Sequence, residues 1–193
     1  KDYAIWLSMY SEKYKIPIVV MAIPGDERLS VATLHPDTFS NPDNMLSRPD
    51  LKLIDAVWEQ YIPSLEEAGF VTNDKILLLG DQASGMFPHR FSILHPELVQ
   101  AFWESSGAPA PLPASELDGT PLDYPLGTGN LEELTGQPFN LEAYLKIHQL
   151  ITIGENDNVG LANPDFFPDG QWEYIQTHFG NTDLEMAEFF YNY

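Results

Sequence analysis

Short apolar runs alternate along the chain with longer amphipathic stretches. Four of these runs are rich in aliphatic or aromatic residues and predict strands. The predicted strands are residues 16–23, 76–79, 99–104 and 149–154. The first run is apolar at nearly every position, which is typical of a parallel strand covered by helices on both faces. The pattern therefore predicts an α/β fold with a mostly parallel sheet flanked by helices.

Amphipathic stretches between the apolar runs predict helices. The clearest begins at Asp50 and continues toward Gly69, with Pro63 expected to kink or end its first part. Residues 107–146 are rich in Pro and Gly and predict an irregular excursion with one short helix at about residues 141–146. The other predicted helices are residues 3–14, 83–95, 171–179 and 183–192.

The order of these elements predicts how the chain is organised. Strands alternate with helices, as in an open parallel sheet with crossover connections. We therefore expect a single domain over residues 1–193. In such sheets, ligands bind beyond the carboxyl ends of the strands. These ends are residues 24–27, 80–84, 105–107 and 154–157.

The second predicted strand runs into the small-residue turn Gly80-Asp-Gln-Ala-Ser84 and then into a helix. This layout is that of a nucleophile elbow, with small residues two before and two after its centre. The centre should be Ser, Cys or Asp, but it is Gln82, whose amide cannot be deprotonated to attack a carbonyl. In an active elbow the N–H of Ala83 would help to form an oxyanion hole. An ordinary strand-to-helix turn is the alternative interpretation.

The partners of a nucleophile are harder to find in this chain. Where an elbow carries a catalytic triad, the acid follows the nucleophile in the chain and a histidine comes last. Asp157 is placed for the acid, although it would suit an Asx turn equally well. The only histidine after it is His178, in a predicted helix. In an alternative register Asp81 is the nucleophile, since carboxylates do form ester intermediates, but Leu79 then occupies a small-residue position.

Composition excludes several classes of partner and chemistry. The chain has 29 acidic and 9 basic residues and a formal net charge of -20, which argues against nucleic acid and anionic membranes as partners. No apolar run is long enough to span a bilayer. There is no cysteine and no metal-ligand spacing, so we expect no metal and no cofactor. The pattern leaves open whether the protein is cytoplasmic or secreted, and its oligomeric state.

Several segments, in this order, resemble an α/β-hydrolase of the esterase and polyhydroxybutyrate-depolymerase-like kind. Residues 80–87, Gly-Asp-Gln-Ala-Ser-Gly-Met-Phe, are similar to that family's G-F-S-A-S-G-M-F. The resemblance extends over roughly residues 1–180. The other matching segments are residues 48–54, Arg90-Phe91, Leu94-His-Pro-Glu97, residues 124–127, residues 131–139 and Ile153-Gly-Glu-Asn-Asp157.

The resemblance implies a three-layer α/β-hydrolase sandwich that cleaves esters through an acyl-enzyme. By position, the nucleophile falls on Gln82, the acid on Asp157 and one oxyanion N–H on Ala83. Asp81 stands where the family has an apolar residue, and Pro88 should remove one backbone bond inside the following helix. The family's early strands and its histidine loop would lie outside the chain, so we expect an incomplete core with about half of the family's strands.

These departures decide the expected function. We expect a serine-esterase-type α/β-hydrolase fold that lacks ester hydrolysis as written, because Gln82 replaces the nucleophile and no catalytic histidine is evident. A small-molecule ester or acyl compound is the expected ligand. One alternative is a non-catalytic ligand-binding module in which the Gln82 amide binds a carbonyl or hydroxyl group. Another is an interaction domain that uses the Pro-rich residues 107–125 as a contact surface.

Overall fold

A sheet of three parallel strands forms the centre of the fold. The computed structural model describes residues 2–21, 34–40, 47–107, 111–156 and 170–193. The central strands are β1 (Ile76–Asp81), β2 (Val99–Ser105) and β5 (His148–Thr152), in the spatial order β1-β2-β5. A separate two-residue antiparallel hairpin consists of β3 (Glu116–Leu117) and β4 (Thr120–Pro121). The strand-helix alternation and the parallel sheet make the fold α/β-like.

Helices precede, connect and follow these strands. The α-helices are α1 (Asp2–Tyr14), α2 (Asp37–Ser40), α3 (Pro49–Ile54), α4 (Ile62–Glu67), α5 (Met86–Leu94), α6 (Leu131–Thr135), α7 (Leu141–Tyr144), α8 (Gln171–His178) and α9 (Asp183–Asn192). A π-helical segment, Asp55–Tyr61, joins α3 to α4, and 3-10 turns cover Gln82–Gly85 and Pro96–Leu98. Within the described ranges, no helix is long and apolar enough to cross a membrane.

Three of the four predicted strands are confirmed, and the first is not. The predicted strand over residues 16–23 has no regular secondary structure over residues 16–21, and its last two residues lie outside the described ranges. Those six residues are exposed. The sheet therefore has three strands where the sequence predicts four. An apolar pattern shows that a segment favours burial, but a strand also needs a neighbour for its N–H and C=O groups.

Two prolines have milder effects than the sequence predicts. The helix that starts near Asp50 continues past Pro63, because a π-helical segment precedes this residue and Ile62 N–H donates to the Val57 carbonyl five residues back. The helix then ends at Gly69, as predicted, with a left-handed φ of 87°. Pro88 lies in the first turn of α5, where N–H groups have no partner within the helix, so no helical bond is lost.

The excursion over residues 107–146 is more ordered than predicted in its described part. It contains the β3–β4 hairpin and two short helices, α6 and α7, where the sequence predicts one helix. Leu122 and Leu126 are fully buried there. They pack in a cluster that also contains Met86 of α5. The excursion and the C-terminal helices thereby meet at the first turn of α5. The whole cluster consists of Met86, Leu112, Leu122, Leu126, Ile175, Phe179 and Met186.

The two faces of the central sheet are covered differently. Leu78 and Phe102 lie on the face where side chains of α3 and α5 pack in the main core cluster. The opposite face carries apolar side chains that are 36–65% exposed. They are Leu77, Leu79, Trp103 and Leu150, which the strand register places side by side. The described residues therefore do not confirm the second helical layer of the predicted three-layer sandwich.

The difference between the two faces predicts a difference in stability. Phe102 is 3% exposed, so Phe102→Ala should lower the free energy of unfolding by about 3–5 kcal/mol through lost burial and a cavity. Leu79→Ala on the open face should change it by less than about 1 kcal/mol. Urea unfolding followed by far-UV circular dichroism measures both. Equal losses for the two variants would show that the Leu79 face is covered in solution.

Candidate functional site

The turn after β1 has a strained backbone at one residue. Asp81 ends the strand with extended backbone, φ −131° and ψ 139°, and the chain then enters the 3-10 turn Gln82–Gly85. Gln82 has φ 55°, in the left-handed region that residues other than glycine rarely adopt. Such a conformation costs on the order of 1–3 kcal/mol and persists only where the surroundings impose it. Gln82 is therefore the apex of a sharp strand-to-helix turn.

Close packing imposes this geometry. A Cβ atom on Gly80 would collide with the carbonyl group of Ser84, and one on Gly85 would lie 3.1 Å from the Ser105 carbonyl oxygen. The Ser84 hydroxyl donates to the Asp81 carbonyl at 2.7 Å, and the Asp81 N–H donates to the same hydroxyl oxygen at 3.2 Å. The turn is thus folded back on the end of β1 and pressed against the end of β2.

The conformation of the turn distinguishes among three candidate side chains. Asp81 belongs to the regular extended strand, and the Ser84 hydroxyl is engaged with the backbone of the turn. Gln82 has the strained backbone and an exposed side chain. Its amide makes no hydrogen bond to any residue in the described ranges. This geometry favours the register in which Gln82, rather than Asp81, occupies the apex.

The other predicted site residues fare differently. Ala83 is the second residue of the 3-10 turn, where an early N–H group has no partner within the turn. Asp157 lies outside the described residues, directly after an exposed turn at Glu155 and Asn156. His178 is exposed on α8, and its ring stacks on Tyr174 with 4.2 Å between ring centroids. Of the predicted site residues that the structure describes, Gln82 and Ala83 lie together in the turn, and His178 lies on α8.

A second strained residue lies beside the turn. Ser106 follows β2 directly and has φ 52°. Its N–H donates to the Thr152 carbonyl at 2.8 Å, and the Thr152 hydroxyl accepts from the Trp103 indole N–H at 2.9 Å. The register aligns the last residues of all three strands. Two of the six described non-glycine residues with positive φ, Gln82 and Ser106, therefore lie at the carboxyl edge of the sheet, where a ligand is expected in such folds.

A buried polar network lies behind the turn. His89 Nδ1 is 2.9 Å from Glu104 Oε2, and His89 Nε2 is 3.2 Å from the Tyr144 hydroxyl, which donates to Gln149 Oε1 at 3.1 Å. Because the hydroxyl donates to Gln149, it accepts from His89 Nε2–H. The other imidazole nitrogen, Nδ1, then forms the hydrogen bond with Glu104. Burial raises the pKa of Glu104, which His89 opposes, and burial also raises the pKa of Tyr144.

Sequence reasoning missed this network because each residue had an ordinary interpretation by itself. A signal does exist in the pattern. Glu104 lies two residues after Phe102 and thus on the same, covered face of β2. His89 lies three residues after Met86 on the packed side of α5. A carboxylate and a histidine on facing buried surfaces are expected to pair, because unpaired buried charges are costly.

A second buried cluster fastens the start of α3. Asp50 is completely buried and accepts hydrogen bonds from Arg48 Nε at 3.0 Å and Arg48 Nη2 at 2.7 Å. His95 Nε2 lies 2.8 Å from Asp50 Oδ2, the same oxygen that accepts from Arg48 Nη2. Burial by itself raises the pKa of the Asp50 carboxyl, but the hydrogen bonds and charges of His95 and Arg48 outweigh burial and lower the pKa to about 2. The cluster thus connects α3 to the end of α5.

Two surface pockets lie away from the strained turn. One, of about 600 Å³, includes Arg48 and His95 in its wall. The other, of about 470 Å³, lies in the excursion between residues 113–116 and 138–141. Gln82 lines neither of them. Among the described residues, no group of three or more His, Asp or Glu side chains could hold a metal ion.

Comparison with known proteins adds no assignment to this geometry. No protein-family model, no curated protein and no solved structure matches the chain. The candidate site is therefore defined by the residues themselves, with the strained turn at Gln82 as its most distinctive feature.

The strain at Gln82 can be measured with two glycine substitutions. Gln82→Gly should raise the free energy of unfolding by about 0.5–1 kcal/mol, because glycine adopts the left-handed conformation without a Cβ clash. Ala83→Gly is the matched control, since Ala83 does not have positive φ and should lose about 0.5–1 kcal/mol. Urea denaturation measures both. A loss of stability in Gln82→Gly would contradict the strained turn.

Because of the Asp50 cluster, the free energy of unfolding should depend on pH in the acidic range. A lowered folded-state pKa means that the carboxylate stabilises the fold above its unfolded pKa of about 3.9, and that this contribution disappears as the pH falls toward 2. Asp50→Asn should therefore cost about 2–3 kcal/mol at pH 7 and progressively less between pH 4 and pH 2. Urea unfolding at several pH values measures this difference. Asp55→Asn is the control, because Asp55 is exposed, and should leave the free energy of unfolding unchanged within error. A loss of stability in Asp50→Asn that stays constant with pH would contradict the stabilising role of the ionised Asp50 carboxylate.

Proposed function

We propose that this chain is the core of a serine-esterase-type α/β-hydrolase domain in which Gln82 stands at the nucleophile position. The observation that carries the proposal is the left-handed backbone of Gln82 at the apex of a strand-to-helix turn, with φ 55°. A nucleophile elbow places its central side chain on such a strained turn above the carboxyl edge of the sheet. The close approach of Gly80 to Ser84 supports the same geometry.

The position of the glycines favours an elbow over an ordinary turn. Glycines stand on either side of the apex, at Gly80 and Gly85, where the backbone lies close to other backbone atoms, while the apex carries a long exposed side chain. A nucleophile elbow likewise has small residues around its centre and presents the central side chain at the end of the sheet.

The chemistry of an active elbow depends on a nucleophile that Gln82 does not provide. A serine hydroxyl would attack an ester carbonyl, lose its proton to a general base and form an acyl-enzyme, while N–H groups such as that of Ala83 stabilise the oxyanion. Asp157 is the proposed orienting acid. The Gln82 amide cannot form an acyl-enzyme, and losing a nucleophile of this kind costs about 10⁶ in rate. We therefore propose that the chain as written does not turn over esters.

A non-catalytic binding function is the second candidate. The exposed Gln82 amide offers two donors and one acceptor and makes no hydrogen bond to the described residues. At the strained carboxyl edge it would contact the carbonyl or hydroxyl of a small ester or acyl ligand without cleaving it.

Restoring a nucleophile tests the proposal. Gln82→Ser should be acylated by the activated ester p-nitrophenyl acetate, with release of p-nitrophenol, at least about tenfold faster than the unchanged chain, because serine supplies a nucleophile beside the Ala83 N–H that the Gln82 amide cannot supply. Gln82→Ala is the matched control and should show no gain. The release of p-nitrophenol is measured by absorbance, and circular dichroism confirms that both variants are folded.

The outcomes separate the two candidates. No gain in a folded Gln82→Ser variant would contradict the hydrolase proposal. Saturable binding of a short acyl amide by the unchanged chain, without turnover, would support the binding function, and Gln82→Ala should weaken it. Esterase activity of the unchanged chain that is lost on Asp157→Ala would contradict both the inactivity and the binding proposals.

A further inference from the structure

The larger of the two surface pockets has no part in the proposed function. Its volume of about 600 Å³ is within the range of small-molecule sites. Residues of α3, the end of α5, α6 and the segment that leads into α7 form its wall. Helix α5 begins beside the Gln82 turn and ends directly before His95, which lines the pocket. The pocket therefore lies at the opposite end of α5 from the candidate site.

Apolar side chains on the pocket wall are left exposed. Leu51 of α3 is 40% exposed and Leu141 of α7 is 45% exposed, and both line the pocket. Leu131 and Phe139 also line it, and behind the wall they are part of the main core cluster or pack against it. An apolar group that enters the pocket would be bound favourably, because it would remove this surface from water.

A fixed cation forms another part of the wall. The Arg48 guanidinium donates from Nε and Nη2 to the Asp50 carboxylate and lies over the Phe39 ring, 5.0 Å from its centroid. The Arg48 side chain lines the pocket and is 23% exposed. Its third nitrogen, Nη1, has no hydrogen-bond partner among the described residues. An arginine held in this way loses little further freedom when it binds an anion.

The shared carboxylate of Asp50 leaves this part of the wall able to bind a second anion. Asp50 Oδ2 lies 2.8 Å from His95 Nε2 and also accepts from Arg48 Nη2. One buried carboxylate thus serves two donor groups, and both groups line the pocket. Glu97 is the acidic residue of the same wall, but it is exposed, so water and salt screen its charge.

We propose that this pocket binds a small carboxylic acid with an apolar chain. The carboxylate would contact Arg48, and the chain would lie between Leu51 and Leu141. A planar carboxylate suits a guanidinium better than a spherical anion does, because both groups are flat and form parallel hydrogen bonds. The apolar wall favours a ligand with a hydrocarbon chain over inorganic phosphate or a sugar acid.

The charge of the whole chain makes the position of Arg48 informative. The formal net charge of -20 repels anions in general, so an anion binds only where a local cation outweighs that repulsion. Of the two arginines that the structure describes, Arg90 is completely buried and Arg48 is partly exposed in the pocket. This inference does not depend on whether Gln82 marks a hydrolase.

Titration of the unchanged chain with hexanoate tests the pocket. Hexanoate should bind saturably with a Kd on the order of 1 mM, as expected for a ligand of about eight non-hydrogen atoms. Hexanamide keeps the chain without the charge, and acetate keeps the charge without most of the chain. Each should bind at least about tenfold more weakly than hexanoate. Nuclear magnetic resonance measures the affinities, and the side-chain N–H signal of Arg48 should shift with hexanoate.

Two leucines of the same short segment give a matched pair of variants. Leu141→Glu places a negative charge on the pocket wall and should weaken hexanoate binding at least about tenfold. Leu145→Glu is the control, because Leu145 is 68% exposed and does not line the pocket. It should change the Kd by less than about twofold, since its charge is exposed to water. Circular dichroism confirms that both variants are folded.

Three results would overturn the inference. The first is the absence of saturable hexanoate binding by the folded, unchanged chain. The second is equal affinity for hexanoate and hexanamide, which would show that Arg48 does not recognise the carboxylate. The third is equal weakening by Leu141→Glu and Leu145→Glu, which would place the ligand outside this pocket.

Discussion

The left-handed backbone at Gln82 is the constraint on which the candidate site depends. Its cost, on the order of 1–3 kcal/mol, has to be offset by contacts that hold the turn in place. Three contacts do this: the Ser84 hydroxyl bound to the Asp81 backbone, the close approach of Gly80 to Ser84, and the close approach of Gly85 to Ser105. The same contacts press the turn onto the ends of β1 and β2 and leave the Gln82 side chain exposed.

The core behind the turn contains charges whose partners decide their behaviour. Asp50 accepts two hydrogen bonds from Arg48 and pairs with His95, and its pKa is lowered despite complete burial. Glu104 has His89 as its hydrogen-bond partner, and burial prevails, so its pKa is raised. The Asp50 carboxylate therefore stabilises the fold at neutral pH, whereas burial disfavours the charged form of Glu104.

The central sheet is covered by helices on one face and exposed on the other. Helices α3 and α5 cover the face that contains Phe102, while Leu79 and Trp103 remain partly exposed on the other face. A parallel sheet normally needs cover on both faces. Residues 16–21 are also apolar and exposed, and among the described residues no strand pairs with the outer edge of β1. The formal net charge of -20 causes two copies of the chain to repel each other, which disfavours covering this apolar face by association between copies.

The sequence by itself determined the elements with strong local signals. The runs that became β1, β2 and β5, the stop at Gly69 and the small residues around Gln82 all follow from patterns within a few residues. Tertiary structure decided what depends on neighbours distant in the chain. It left residues 16–21 unpaired, carried the helix past Pro63, joined His89 to Glu104 and Asp50 to His95, and set the positive φ at Gln82. Local patterns report what a segment favours, whereas pairing, burial and strain depend on partners that only the folded chain brings together.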